Sequence, residues 1–228
     1  MTTIAARWRE VRAAVDAACV AAGRAPADVT IVAVSKRHPA AAIDEVVAAG
    51  ATDVGENYAQ ELVGKQAAVT SAPRWHFIGR LQRNKARLVA GKVALIHAVD
   101  SVELGAELGR RAAALGLVQP VLAAINVGGE AQKTGVDADG AAALIAGLRA
   151  VAGLRLDGLM TMPPPADDPE DVRPAFVALR ALRDRVATAA SPLPHLSMGM
   201  SADFAVAIAC GATLVRIGTA IFGERPVG

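Results

Sequence analysis

The sequence predicts an α/β protein, a single (β/α)8 TIM barrel with an extra N-terminal helix, and three observations predict it. Short β-rich runs alternate with helical patterns until eight runs have been counted over 228 residues. The segments between them are long enough for crossover helices, and no composition break or linker divides the chain, so residues 1–228 read as one domain. Polar residues and glycines gather just after the runs, as they do at the rim of a barrel that carries its active site.

Residues 4–22 place Ile4, Trp8, Val11, Val15 and Cys19 at helical spacing, with Arg7, Arg9, Glu10, Arg12 and Asp16 between them. That pattern is an amphipathic helix. Gly23 and Pro26 end it, and residues 30–34 (TIVAV) form the first strand. A helix opened by Pro39 spans 39–49 and is stopped by Gly50. Further strand-like runs fall near 52–55, 75–78, 94–98, 120–126, 154–160, 195–198 and 213–217. An open doubly wound sheet is the alternative, but no Gly-x-Gly-x-x-Gly turn follows the first strand.

With 53% hydrophobic and 20% charged residues, the chain can bury a large core. Its 24 basic and 22 acidic residues leave a net charge of +2, too small to call for nucleic acid. Charges interrupt the apolar pattern of the N-terminus, unlike a secretory signal, and no later segment reads as a membrane span. The expectation is a soluble, cytoplasmic protein with no membrane partner. Cys19 and Cys210 sit in Ala-rich helical contexts and read as buried thiols. His38, His76, His97 and His195 form no His-x-x-x-His pair, and no Cys-x-x-Cys occurs, so no metal site is expected.

Lys36 closes an apolar strand, a setting that desolvates an ammonium, lowers its pKa and frees the amine to attack an aldehyde. A solvated flank is the plainer reading of one such lysine. The stretch 198–204 (MGMSADF) reads as a glycine turn entering a helix with Ser201 as N-cap, and Gly218-Thr219 opens a short helix after the last strand. Together these two turns suit a phosphate, although each alone is an ordinary capped turn. Arg216 is a cation inside an apolar strand and needs a partner if buried, an ion pair being the structural reading. His76 reads as a satisfied core histidine, Asn57 as an N-cap, and Met160 and Met198 as core or pocket wall.

The runs AVSK (33–36), GENYAQEL (55–62), WHFIGRLQRNK (75–85), GLMTM (158–162), SMGMSADF (197–204) and VRIGTAIFG (215–223) resemble those of the pyridoxal phosphate homeostasis proteins. That family is similar to the barrel domain of alanine racemase, a fold-type III pyridoxal 5′-phosphate (PLP) binder. The resemblance implies that Lys36 forms a Schiff base with the cofactor aldehyde, that Ser201, Gly218 and Thr219 hold its phosphate, and that Arg216 faces its pyridine nitrogen. It also places Asn57, His76, Met160, Ser197 and Met198 around the ring. A fixed cation at the ring nitrogen disfavours pyridine protonation and weakens the ring as an electron sink. Ala205 departs from the family pattern, which has an acidic residue there.

Three functions compete on these residues. An alanine racemase pairs its lysine with a tyrosine from a second, β-rich domain. This chain ends at Gly228, straight after the eighth barrel unit, and its one tyrosine is Tyr58, so at most a weak racemase-like activity is expected. A cofactor-free Schiff-base aldolase would use Lys36 on a sugar phosphate, but leaves Arg216 unexplained. The expected function is therefore a non-enzymatic buffer or carrier of PLP in vitamin B6 homeostasis. It would be monomeric and would deliver cofactor to apo PLP-dependent enzymes, with Lys133, in the loop after the fifth strand, assisting transfer.

Overall fold

The computed structural model describes residues 2–127 and 135–224. Its strands are β1 (Thr30–Val34), β2 (Asp53–Glu56), β3 (Arg74–Phe77), β4 (Leu95–Val99), β5 (Gln119–Asn126), the two-residue β6 (Val136–Asp137), β7 (Leu154–Met160), β8 (His195–Ser197) and β9 (Leu214–Ile217). All but β6 pair in parallel around a closed ring, β1 to β5 in order, then β7, β8 and β9, with β9 returning to β1. The doubly wound alternative is thereby excluded. The eight predicted runs are the eight barrel strands; β6 merely extends the end of β5 through Ile125 and Asn126. Two residues are too few for an alternating pattern to register in a sequence.

Alternation along each strand sorts the residues into two layers. Val32, Leu95, Leu122, Ala124, Met160 and Leu214 pack together inside the ring. Their neighbours in sequence, such as Ile31, Ala33, Ile96, Ala123, Leu159 and Val215, pack outwards beneath the helices. The interior is not wholly apolar, since Asp53, His76, His97, Ser197 and Arg216 are all buried.

The N-terminal helix α1 (Ile4–Ala21) is capped by the Thr3 hydroxyl and buries Trp8, Val11, Val15 and Cys19, the predicted face. Arg7 ties it to the end of the chain, donating to the carbonyls of Ile221 and Phe222 at 2.6 and 3.1 Å. Helix α2 (Ala40–Ala48) follows Pro39, and helix α3 (Ala59–Ala68) follows β2. After β3 the connection is a 3-10 helix, Arg83–Leu88, in place of the α-helix that strict alternation leads one to expect. A Cβ on Gly79 would lie 2.1 Å from the carbonyl oxygen of Asn57, so only glycine lets the end of β3 pass the end of β2. Among the described residues, no helix is long and apolar enough to cross a membrane, and no metal-ligating cluster occurs. Both cysteines are buried and free, and burial raises both thiol pKa values.

Candidate functional site

A cavity of about 280 Å³ opens at the C-terminal ends of the strands. Six of the residues singled out in the sequence line it: Lys36, Asn57, Ser201, Arg216, Gly218 and Thr219. Val34, Ile78, Met162 and Met200 supply apolar wall. Amine, guanidinium and two hydroxyls therefore converge on one space from β1, β9 and the loops after β8 and β9. Only Lys36 and Arg216 among these lining residues are ionisable.

The bend that carries Lys36 is clamped on both sides. The Ser35 hydroxyl donates to Glu56 Oε1 at 2.6 Å, and Lys65 Nζ donates to the same oxygen at 2.6 Å and to the Ser35 carbonyl at 2.8 Å. Beyond Lys36, the Arg37 N–H donates to Glu61 Oε2 at 2.9 Å, and Lys65 reaches that carboxylate too. Arg37 sits at φ 65°, a left-handed conformation that a non-glycine residue keeps only when its surroundings hold it. Burial pushes the Glu56 carboxyl up in pKa against the opposing pull of Lys65 and Ser35. Glu56 Oε2 and Asn57 Oδ1 are buried acceptors with no hydrogen-bond partner among the described residues. Asn57, a residue of the cavity wall, thus carries an unsatisfied acceptor.

Ser201 is not the N-cap it resembled. The helix after β8, Phe204–Ala209, begins three residues later with Asp203 at the cap position. Asp203 Oδ1 instead accepts from the Met200 N–H at 2.5 Å, which tightens the turn and leaves Ser201 at the cavity. Asn57 likewise does not cap α3, whose cap position is Tyr58.

Arg216 is buried and makes no ion pair among the described residues. Its Nη1 donates to Ser197 Oγ at 2.5 Å and its Nη2 to the Thr161 carbonyl at 3.0 Å. Burial lowers its pKa to about 10, which still leaves it cationic at neutral pH. Ser197 Oγ lies 2.8 Å from His97 Nδ1, His97 Nε2 lies 2.9 Å from His76 Nδ1, and His76 Nε2 lies 2.8 Å from Asp53 Oδ1. His76, Met160, Ser197 and Met198 consequently do not line the cavity. His76 and Ser197 belong to this internal chain, Met160 packs inside the ring, and Met198 packs in the outer layer. Sequence reasoning weighed His97 only as a metal ligand and missed Asp53 altogether. The available signal was parity: His97 shares the inward parity of Leu95, two residues away on β4. Lys133 lies outside the described residues.

The family description "Alanine racemase, N-terminal domain" matches residues 5–226. The chain is 44% identical over 221 residues to the pyridoxal phosphate homeostasis protein of Aquifex aeolicus, covering 96% of this chain and 97% of the relative. It is 41% identical to the protein of the same name from Escherichia coli K12, covering 99% and 98%. Among solved structures, PipY from Synechococcus elongatus with PLP bound superposes with a TM-score of 0.84 at 34% identity, covering 97% of this chain and all of that one. Alanine racemase from Corynebacterium glutamicum shares the fold, with a TM-score of 0.67 at 18% identity, covering 97% of this chain and 62% of the racemase.

Proposed function

The chain belongs to the family of the alanine racemase N-terminal domain and the pyridoxal phosphate homeostasis proteins, and from that premise we propose that it binds PLP as a Schiff base on Lys36 and serves as a cytoplasmic buffer or carrier of the cofactor. The observation that carries the reading is the convergence of Lys36, Arg216, Ser201 and Thr219 on one cavity with apolar walls.

The donor set fits the cofactor. Lys36 supplies the amine, and the clamp through Ser35, Glu56, Lys65 and Glu61 holds its backbone at the cavity. Ser201 and Thr219, with the backbone at Gly218, offer donors to a phosphate. Arg216 presents a fixed cation, and Asn57 a free acceptor. Val34, Ile78 and Met200 give the space apolar walls. When bound, PLP supplies an aldehyde for the amine and a ring able to delocalise charge. The arginine opposes that delocalisation, which suits retention better than carbanion chemistry.

Among the described residues, the lining of the cavity holds no second base of the kind that two-sided proton transfer needs. Tyr58 lines a neighbouring recess with Arg80 and Lys85 and is absent from the lining of this cavity. A homeostatic role agrees with the names of the relatives. Recipients are apo PLP-dependent enzymes, and the barrel acts as a monomer.

The test is the visible spectrum of wild type beside Lys36→Ala, before and after borohydride reduction, with intact mass. A Schiff-base band that is lost in the variant, and one cofactor mass fixed to wild type by reduction, is the expected result. No band and no uptake of added PLP by wild type would defeat the reading, as would sustained racemisation of amino acids at ordinary enzymatic rates.

A further inference from the structure

The barrel interior carries a hydrogen-bonded chain from one mouth to the other. At the C-terminal mouth, Arg216 lines the cavity. At the N-terminal mouth, a smaller recess of about 190 Å³ is lined by residues from strand starts, including Thr30, Asp53, Arg74, His195 and Leu214, together with His76. Between them run Ser197, His97 and His76. All five residues from Arg216 to Asp53 are buried.

With both histidines neutral, the two ends fix the direction of every link. A guanidinium only donates and a carboxylate only accepts. Ser197 Oγ accepts from Arg216, so its own proton is available to His97 Nδ1. His97 Nδ1 is then bare, and its Nε2–H points to His76 Nδ1. His76 Nδ1 is bare in turn, and its Nε2–H points to Asp53. The carboxylate also accepts from Arg74 at 2.8 Å and from Thr52 at 2.6 Å, which anchors it. Every dipole in the row points the same way, and neighbouring links strengthen one another in a low-dielectric interior.

We propose that Ser197, His97, His76 and Asp53 form one positioning array that holds the Arg216 guanidinium in a single orientation beneath the cofactor and anchors it on a carboxylate at the opposite mouth. The inference rests on the reading that the cavity takes PLP. None of the four lines that cavity, so they act on the cofactor through Arg216. Other charged groups near the array are His195, Arg155 and Asp157 at the lower recess and Asp203 near Arg216. Asp203 is committed to the Met200 N–H and belongs to a different turn.

The first measurement needs no cofactor. Nitrogen-15 histidine spectra of the apo wild type are expected to show both His97 and His76 protonated on Nε2 and bare on Nδ1 at neutral pH. A proton on His97 Nδ1 would mean that the chain runs the other way from a doubly protonated His76, and the array would be refuted. The second compares PLP-loaded wild type with Asp53→Asn, which keeps the shape and removes the charge. The pH midpoint of the Schiff-base band is expected to fall by about half a unit to one unit, because the site becomes more positive. His97→Phe, which breaks the middle link, is expected to weaken PLP binding about tenfold. An unmoved midpoint in Asp53→Asn, at unchanged fold, overturns the proposal. If wild type takes up no PLP, the functional reading fails, and the tautomer spectra decide the array alone.

Discussion

Replacing His97 with phenylalanine is expected to flatten the acid dependence of stability by one proton. Burial and the neighbouring charges of His76, Arg216 and His195 hold the His97 pKa well below its ordinary value of 6.5, so the ring is neutral in the fold. Once unfolded, it titrates normally. A base whose folded pKa is depressed contributes stability that is fully present above the unfolded pKa and is lost as pH falls through that value. Each pH unit below about 6.5 therefore costs about 1.4 kcal/mol, or about 2 kcal/mol by pH 5. That is a substantial part of the 5–15 kcal/mol, roughly, that holds a domain together. His195 is also shifted down by burial, so the wild-type slope contains more than this one group. Both proteins retain His195, and the difference between their slopes isolates His97. Urea unfolding at several pH values between about 5 and 7 measures it, with the variant less stable at neutral pH but losing about 1.4 kcal/mol less per unit on acidification. Parallel slopes would mean that His97 is solvated or already charged in the fold, and the buried neutral link would not exist.

Asp53 governs a lower window. Burial alone would raise its carboxyl pKa, but hydrogen bonds from His76, Arg74 and Thr52 outweigh it and leave it at about 2, against 3.8 unperturbed. Its stabilisation is complete above about pH 4 and is lost as pH falls towards 2, so Asp53→Asn is expected to lose about 2 kcal/mol at neutral pH and show a weaker acid transition in the same urea assay. Gly79→Ala drives a Cβ against the Asn57 carbonyl; a loss of about 3 kcal/mol, read as a drop of about 6–12 °C in Tm, is expected. A Tm within about a degree of wild type would show that the β2 and β3 ends can part freely. Ser201→Ala and Thr219→Val are each expected to weaken PLP binding about tenfold while leaving the binding of phosphate-free pyridoxal unchanged. Equal weakening for both ligands, measured by fluorescence titration, would remove these hydroxyls from the phosphate site.

The barrel was legible because its strands are short and apolar and end in polar residues, a pattern that survives without any knowledge of pairing. The inward face of α1 was legible for the same reason, from the spacing of Trp8, Val11, Val15 and Cys19. Position around the cavity was only partly legible. Lys36, Arg216 and Thr219 follow from strand ends, but how far below the rim a strand residue sits depends on barrel stagger, which no single run encodes. His76 and Ser197 were therefore placed around the cofactor ring, whereas they join the internal hydrogen-bonded chain and are absent from the lining of the cavity. Lys65 carries no distinctive signal in the sequence, since a glutamate and a lysine four apart on a helix have the spacing of an ordinary surface pair. Its burial, at 9% exposure, arises only when α3 folds against the ends of β1 and β2 and brings Ser35 and Glu56 to the same amine.

The polar interior follows from a single requirement. A cation at the floor of the cavity must be buried, and a buried guanidinium needs acceptors. Ser197 meets that need with one oxygen but brings a buried proton of its own, which needs a further acceptor in turn. His97 takes it and passes the same demand to His76, and His76 passes it to Asp53. There the demand ends, because a carboxylate brings no proton and Arg74, at 64% side-chain exposure, connects it to solvent at the lower mouth. An apolar residue anywhere along the row would strand a donor in the barrel at a cost of about 1–3 kcal/mol. One arginine at the upper mouth thus constrains four residues on four other strands or strand ends, and the constraint disappears only if the arginine does. Arg216→Leu combined with His97→Leu should accordingly be less destabilising than the sum of the two single changes, a coupling that a double-mutant cycle reads directly.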